Sequence, residues 1–504
     1  MSNKKIVLSK MVARTGVAFG TSGVRGLVSD MTDEVCFAYT KGYMQYLQRN
    51  GLLDIGTYVA IAGDLRKSTP RIVLAISEAV VDFGCIPVYC GEIPTPAVAL
   101  YGIRRSIPSM MVTGSHIPDD RNGIKFYRPD GEVLKSDEAL MLAEEVSVPC
   151  GLFNEKGMFH TPKSMLSANQ DARREYIQRY LNYFSSDLLQ GQKIGVYEHS
   201  SVARGIIPKV LRGLGAKIVL LGRSSKFVSV DTEAIREEDV KLADAWSKEH
   251  LLNSVVSTDG DGDRPLVSDE YGKWLRGDVA GFLTGRFLGV SHMVTPVSSN
   301  SMVEKSESFQ SVSRTRIGSP YVIEKMKALA IEEGVAGYEA NGGFLLMSNI
   351  PNKNGRVLEA LPTRDAMIVI ISVLASAIQA GRTVSELLTQ LPARYTASDR
   401  IKNFSNDVSG RILSSLNTDD FQNNCSSFEE MFEEIEAKVV SLDNTDGLRF
   451  MLSSGDIVHL RASGNAPELR CYTESDSLER ANLLNRCCIE SLEKRKHIQN
   501  KTVE

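Results

Sequence analysis

The chain has 504 residues, 42% of them apolar and 24% charged, with a formal net charge of -4. That length is too great for one hydrophobic core and predicts three or four domains. The charge balance leaves no basic field for nucleic acid or an anionic membrane, and no apolar run is long enough to span a bilayer.

The opening residues, MSNKKIVLSK, hold too short an apolar stretch for a signal peptide, so a cytoplasmic protein is expected. The eight cysteines show no zinc-ligand spacing and are expected to be plain buried or half-buried thiols. The seven histidines form no ligand cluster, which argues against a zinc enzyme.

In chain order, the first motif is FGTSGVRG at 19–26, three glycines with Thr21, Ser22 and Arg25 in a flexible loop suited to an anion. No Gly-Lys-Ser/Thr follows it and it does not open a helix after a strand, so neither ATP nor NAD is implied. Residues 72–91 read as an amphipathic helix, a stop at Gly84 and a β-branched strand. The same grammar recurs at 206–222, around Gly213 or Gly215, and at 321–338, around Gly334. Units of this kind build α/β layers with largely parallel strands, and their spacing predicts three similar α/β domains in series.

SMMVTGSHIPDDRNGIKFY at 109–127 reads as a buried strand ending at Val112, then a tight exposed loop. Ser115 in that loop can be a nucleophile or a phosphoryl carrier, with His116 beside it and Lys125 beyond a second turn at Asn122-Gly123. No Gly-x-Ser-x-Gly elbow is present, so an acyl-transfer hydrolase has little support. STDGDGDRP at 257–265 follows an apolar strand and alternates Asp259, Asp261 and Asp263, which in extended backbone would project three carboxylates to one side. A hard divalent cation would relieve their repulsion, and Mg²⁺ is the natural choice. An EF-hand fails where Arg264 stands in place of the required glycine. A phosphorylated Ser115 could complete the shell of the metal.

GYEANGGF at 337–344 sets Glu339 and Asn341 on a glycine-flanked loop, a sugar-hydroxyl reader or a structural turn. Alternating residues at 446–464 and ELRCYTES at 468–475 read as a hairpin and a further strand, closed by a helix from about Leu478 to Glu493. Between these strands HLRASGNAPELR gathers Arg461, Ser463, Asn465 and Arg470 around a Ser-Gly turn, a donor set suited to an oxyanion. Residues 151–170, 265–277 and 396–410 are plausible joins. The expected architecture is α/β: three mixed α/β domains at 1–160, 161–268 and 269–392, then a smaller α+β domain at 393–504.

Together FGTSGVRG, AGDLRKST (62–69), IPTP (93–96), TGSHIP with NGIKF, DGDGDR, YEANGG and RASGNAPELRCYTE resemble the α-D-phosphohexomutase family in order and spacing, from residue 19 to residue 474. The resemblance implies four domains around a central cleft. It implies interconversion of hexose 6-phosphate and hexose 1-phosphate through phosphoserine at Ser115 and a 1,6-bisphosphate, which also serves as activator. It implies one Mg²⁺ held by Asp259, Asp261, Asp263 and the Ser115 phosphate. His116 and Lys125 would transfer protons and Arg25 would lie near the transferring phosphoryl. Glu339 and Asn341 would hold the sugar, with Arg264 among the substrate-binding residues. Arg461, Ser463, Asn465 and Arg470 would take the non-reacting phosphate.

Three departures bear on specificity. Ile117 stands where the family's loop usually has Asn, which removes one loop hydrogen bond. Asn341 replaces the usual Ser, and Asn465 the common Thr. The sugar loop also lacks the Gln-Ser-Gly-His ending of glucosamine mutases. Mannose phosphate, for GDP-mannose synthesis, is the first expectation and glucose phosphate the alternative. A metal-dependent sugar phosphatase and an inactive binding homologue are the rival classes. The partner is a small sugar phosphate, with no nucleic acid or membrane, on a monomer or homodimer.

Overall fold

The computed structural model describes residues 3–20, 22–329, 331, 333–402, 404–462 and 467–501. Chain contacts divide the protein into two compact units, Met1–Met293 with Gly318–Leu387, and Val294–Ile317 with Leu388–Glu504.

The larger unit opens with a seven-stranded sheet in the order Ala18–Phe19, Val24–Leu27, Arg121–Arg128, Ser109–Val112, Tyr58–Gly63, Ile86–Glu92, with Gly131–Glu132 added on Arg121–Arg128. Tyr58–Gly63 is parallel to Ser109–Val112 and to Ile86–Glu92, and the remaining pairings are antiparallel. Helices Asp33–Arg49 and Thr69–Asp82 bury apolar faces in the same core as these strands. A second sheet runs Lys217–Arg223, Lys193–His199, Ser254–Thr258, Pro265–Val267. The third layer of this unit carries the hairpin of Val335–Tyr338 with Phe344–Leu346 and the helices Gly277–Leu288, Ser319–Ala328 and Ala366–Gln379.

The helix–glycine–strand units form where the spacing predicts them. Thr69–Asp82 leads to Ile86–Glu92, Ile207–Gly213 to Lys217–Arg223, and Ser319–Ala328 to Val335–Tyr338. At each stop a glycine takes the left-handed backbone that other residues resist: Gly84 at φ 88°, Gly215 at 98° and Gly334 at 72°. Ala366–Gln379 is apolar almost all round, and every residue from Ala366 to Ala375 is buried, as a helix between layers requires. Its N-cap Asp365 accepts from the backbone N–H of Met367 and Ile368 and from the hydroxyls of Tyr176 and Tyr180. The cap thus ties the first helix of the second layer, Asp171–Tyr183, to the third.

The smaller unit holds a five-stranded antiparallel sheet in the order Tyr395–Lys402, Glu468–Ser475, Ile457–Ala462, Leu448–Leu452, Val439–Asp443. Its core is shared with helices Asn406–Ser415 and Phe421–Met431 and with the last helix, which runs from Leu478 to Lys501 rather than ending near Glu493.

Several expectations need correction. Residues 396–410 carry regular structure, most of the edge strand Tyr395–Lys402 and the start of the helix Asn406–Ser415, rather than the polar loop expected. Residues 265–277 turn back on the second sheet through Pro265–Val267 and a bridge from Ser268 to Trp274. Asn122 and Gly123 lie within a continuous strand, not a turn. Cys150 is exposed, unlike the other cysteines. Among the described residues no helix is long and apolar enough to cross a membrane.

One buried group makes the smaller unit sensitive to acid. His459 Nε2 donates to the Asp446 carbonyl at 2.7 Å, and Nδ1 is buried without a hydrogen-bond partner among the described residues. Burial, with Arg449 nearby, pushes the ring from 6.5 down to about 4. The unfolded chain therefore binds the proton first. Stability from the neutral ring is complete above pH 6.5 and is lost as pH falls toward 4, by about 3 kcal/mol. His459→Gln, whose amide can still donate to Asp446, is expected to remove that increment from the acid-induced loss measured by urea denaturation at the two pH values.

Candidate active site

The strand Ser109–Val112 is wholly buried and delivers Thr113, Gly114 and Ser115 to its end. Thr113 N–H donates to the Gly123 carbonyl at 3.0 Å, which fixes where the strand stops. Ser115 then takes a left-handed backbone, φ 54°, a conformation a non-glycine residue holds only when its surroundings impose it. Those surroundings are polar and fully buried. Asp64 accepts from the hydroxyls of Thr69 at 2.6 Å and Thr113 at 2.8 Å, and Thr113 Oγ1 accepts the Ser115 N–H at 2.7 Å.

Arg66 completes the clamp. Its Nε donates to Asp64 at 3.1 Å, Nη2 to the carbonyls of Ser115 at 3.0 Å and Ile117 at 2.6 Å, and Nη1 to those of Pro118 at 2.7 Å and Arg121 at 3.1 Å. The Phe227 ring lies 3.9 Å from the guanidinium carbon. A side-chain carbon at Gly114 would meet that carbon at 2.7 Å, so only glycine fits. Ile117 needs no side-chain hydrogen bond in this loop, because its carbonyl does the holding.

The acidic loop arrives from the end of Ser254–Thr258. It is curled rather than extended: Asp259 Oδ1 accepts from the N–H of Asp263 at 3.2 Å and Arg264 at 3.3 Å, and Gly262 sits at φ 72°. The carboxylates converge because the loop closes on itself, not because alternate residues share a side. One oxygen from each of Asp259, Asp261 and Asp263 lies within 4.8 Å of the others, and all three residues are buried. A side-chain carbon at Gly260 would stand 2.8 Å from the Ser115 carbonyl oxygen, so a bare glycine lets the two loops touch.

Contact between them is direct. Ser115 Oγ donates to Asp259 Oδ2 at 2.6 Å. Lys125, central in Arg121–Arg128, donates to Asp261 at 2.7 Å and Asp263 at 2.5 Å, and the Thr95 hydroxyl donates to Asp261 at 2.5 Å. Arg264 Nη1 lies 2.8 Å from His116 Nδ1, which is 3.3 Å from Ser115 Oγ. Arg364 donates to Glu339 Oε2 at 2.5 Å and stands 3.7 Å from Asp263. Ser115 itself is buried, against the expectation of an exposed loop.

The electrostatics divide these groups. Burial and the charges of Asp261 and Asp263 push Asp259 well above the usual carboxylate range. Burial alone would raise Asp261 too, but the Lys125 ammonium and the Thr95 hydroxyl hold it low. Lys125 stays protonated: burial works against the charge, and Asp261 and Asp263 outweigh it. Burial and the Arg264 guanidinium push His116 down to about 4, so the ring is neutral at pH 7 with its proton on Nε2. Arg25 falls to about 10 through burial and the Arg264 charge, which places it among these cations.

The acidic triad fits a hard divalent cation. Among the described residues Asp261 Oδ1 and Asp263 Oδ1 are buried without hydrogen-bond partners, and such bare oxygens in an all-oxygen set are what Mg²⁺ or a similar ion takes.

The structure brings together Ser115, His116, Lys125, Asp259, Asp261, Asp263 and Arg264, with Arg25 and Glu339 alongside. Asn341 sits in the same loop as Glu339, but its Oδ1 accepts the Gly343 N–H at 2.8 Å in a turn of its own loop. Arg461 and Arg470 lie on strands of the smaller unit, and Ser463 and Asn465 fall outside the described residues. Sequence reasoning assigned no role to Arg66, Asp64, Thr95 or Arg364. The Gly-Asp-Leu-Arg run at 63–66 and the Thr95 of IPTP were visible signals for three of them. Nothing local marks Arg364.

A serine bonded to a carboxylate of an oxygen-only triad, ringed by Lys125, Arg25, Arg264 and Arg364, defines a phosphoryl-transfer enzyme, since cations of this density suit an anionic transferring group. Phosphoglucomutase/phosphomannomutase family models match the chain as alpha/beta/alpha domain I over 16–147, domain II over 174–272, domain III over 279–395 and the C-terminal domain over 419–486. A phosphomannomutase of Salmonella muenchen is 43% identical over 94% of both chains, and one of Sinorhizobium fredii 41% identical over 92% of this chain and 96% of its own. A crystal structure of a putative phosphomannomutase from Thermus thermophilus has the same fold, with a TM-score of 0.72 at 19% identity, covering 95% of this chain and 98% of that one. The chain belongs to the phosphoglucomutase/phosphomannomutase family.

Proposed function

We propose that the protein is a phosphomannomutase, interconverting mannose 6-phosphate and mannose 1-phosphate through phosphorylated Ser115. The observation that carries the mechanism is the 2.6 Å bond from Ser115 Oγ to Asp259 beside two bare carboxylate oxygens. In this reading the Ser115 oxygen–phosphorus bond breaks as a sugar hydroxyl oxygen bonds the phosphorus, the proton of that hydroxyl ending on the freed Ser115 Oγ, giving a 1,6-bisphosphate. The bisphosphate turns over and its other phosphoryl returns to Ser115, so the full cycle consumes no proton or phosphate. Lys125, held between Asp261 and Asp263, and His116 are the groups this proposal places for proton transfer. His116 is held neutral 3.3 Å from Ser115 Oγ. Mg²⁺ bound by Asp259, Asp261, Asp263 and an oxygen on Ser115 would supply charge neutralisation at the transferring phosphoryl.

The same proposal places Arg461, Ser463, Asn465 and Arg470 on the non-reacting phosphate, with Glu339 and Asn341 at the sugar. It sets domain limits at 1–160, 161–268, 269–392 and 393–504. Mannose is favoured over glucosamine because the phosphomannomutases match at 41–43% over 92–94% of the chain, whereas phosphoglucosamine mutases match at 27–29% over 73–75%. The test is a parallel assay of mannose, glucose and glucosamine phosphates with a trace of bisphosphate. The expected result is fastest isomerisation of mannose phosphate, abolished by chelator and restored by Mg²⁺. A higher kcat/KM for glucose phosphate would move the assignment to phosphoglucomutase. Phosphate release without isomer would make the protein a phosphatase, and turnover indifferent to chelator would remove the metal.

A further inference from the structure

Three arginines stand in a row on one face of the smaller unit's sheet. Glu468–Ser475 runs between Tyr395–Lys402 and Ile457–Ala462, and the register sets Arg400 opposite Arg470 and Arg470 opposite Arg461. Residues directly opposite in an antiparallel pair share a face with their Cβ atoms about 5 Å apart, so the three side chains leave the sheet together. Their flanking neighbours Ile401, Leu469, Cys471 and Leu460 point the other way, into the core.

Like charges directly opposite destabilise a sheet unless something answers them. The carboxylates present answer them in part. Glu468 Oε2 is divided between Arg400 Nη1 at 3.4 Å and Arg470 Nη2 at 3.8 Å, both long for a charge-assisted bond. Asp446 is committed to Arg461 Nε at 2.8 Å. Arg470 Nε is buried and has no hydrogen-bond partner among the described residues. Three guanidinium groups against two carboxylates leave a surplus positive charge and an orphan donor at the centre of the row. Arg400, with half its side chain exposed at 50%, has donors to spare beside that centre.

We propose that Arg400 is a third phosphate-binding residue, forming with Arg470 and Arg461 one row for the non-reacting phosphate monoester of the sugar substrate; this rests on the placement of Arg461 and Arg470 proposed above. A guanidinium fork added on the open side of Arg470 gives the anion a second planar donor edge, which suits a phosphate better than a single charge does.

Steady-state kinetics on the full chain carrying Arg400→Gln, Arg400→Lys or Arg461→Gln test this, each with inorganic phosphate as a competing inhibitor. Arg400→Gln is expected to raise KM for the sugar phosphate about tenfold and to weaken inhibition by inorganic phosphate in parallel, with kcat within about twofold of wild type. Arg400→Lys is expected to recover part of the loss, which a structural fault in the edge strand would not allow. An unchanged KM in Arg400→Gln beside a raised KM in Arg461→Gln overturns the role of Arg400 and leaves the phosphate loop standing. Weaker inorganic phosphate inhibition with an unchanged KM also overturns it, since the anion bound there is then not the substrate's. An unchanged KM in both variants removes the whole row from substrate binding.

Discussion

Ser115→Ala is expected to lower turnover at least ~10³-fold, because it removes the oxygen that carries the phosphoryl group in the proposed mechanism. Incubated with hexose bisphosphate, the wild-type chain should gain a phosphate seen in its intact mass, and the variant should not. The fold should tolerate the change. The side chain makes one bond to a carboxylate, Asp259, that also accepts from the backbone of Asp263 and Arg264. A companion variant separates chemistry from architecture. Ser115 holds φ at 54°, so Ser115→Gly should be about 1 kcal/mol more stable than Ser115→Ala while remaining equally inactive. Turnover near the wild-type level in either variant would remove phosphoserine from the mechanism.

The second large effect belongs to Arg66. Arg66→Leu leaves Asp64 buried without its guanidinium, and breaking a buried pair in this way costs about 3–5 kcal/mol. Urea denaturation should show that loss. Asp64→Asn combined with Arg66→Leu should regain much of the stability, since the amide oxygen can still accept from Thr69, the amide NH2 can donate to Thr113 Oγ1, and no buried charge is left over. Turnover should stay low in the double variant. The carbonyls of Ser115, Ile117, Pro118 and Arg121 have lost the one side chain that gathers them, and the serine no longer has a fixed position. Stability and turnover recovering together would make Arg66 a brace of the core alone.

The layered fold was legible because its units announce themselves locally. Periodic apolar residues mark Thr69–Asp82, and a glycine at positive φ ends the unit, as at Gly84. The edge strand Tyr395–Lys402 hid because only Ile401 of its residues is buried, so no alternation shows in the sequence. That Ser115 and the aspartates meet in one site was legible from residue type and order. Their geometry was not: the curl at Asp259–Asp263 depends on backbone bonds within the loop, and the burial of Ser115 depends on a loop 144 residues away. Arg66 and Arg364 escaped a functional reading for the same reason. Each is defined by partners distant in the chain, carbonyls at 115–121 for one and Glu339 and Asp263 for the other.

The shared cap at Asp365 has a mechanical meaning. Arg364, which reaches both Glu339 and Asp263, is the residue just before it, and two tyrosines from another layer grip the same carboxylate. Within the larger unit the seam between second and third layers is therefore riveted beside the reaction centre. Bending there would unseat a guanidinium that spans both layers, so this seam is a poor place for the larger unit to flex.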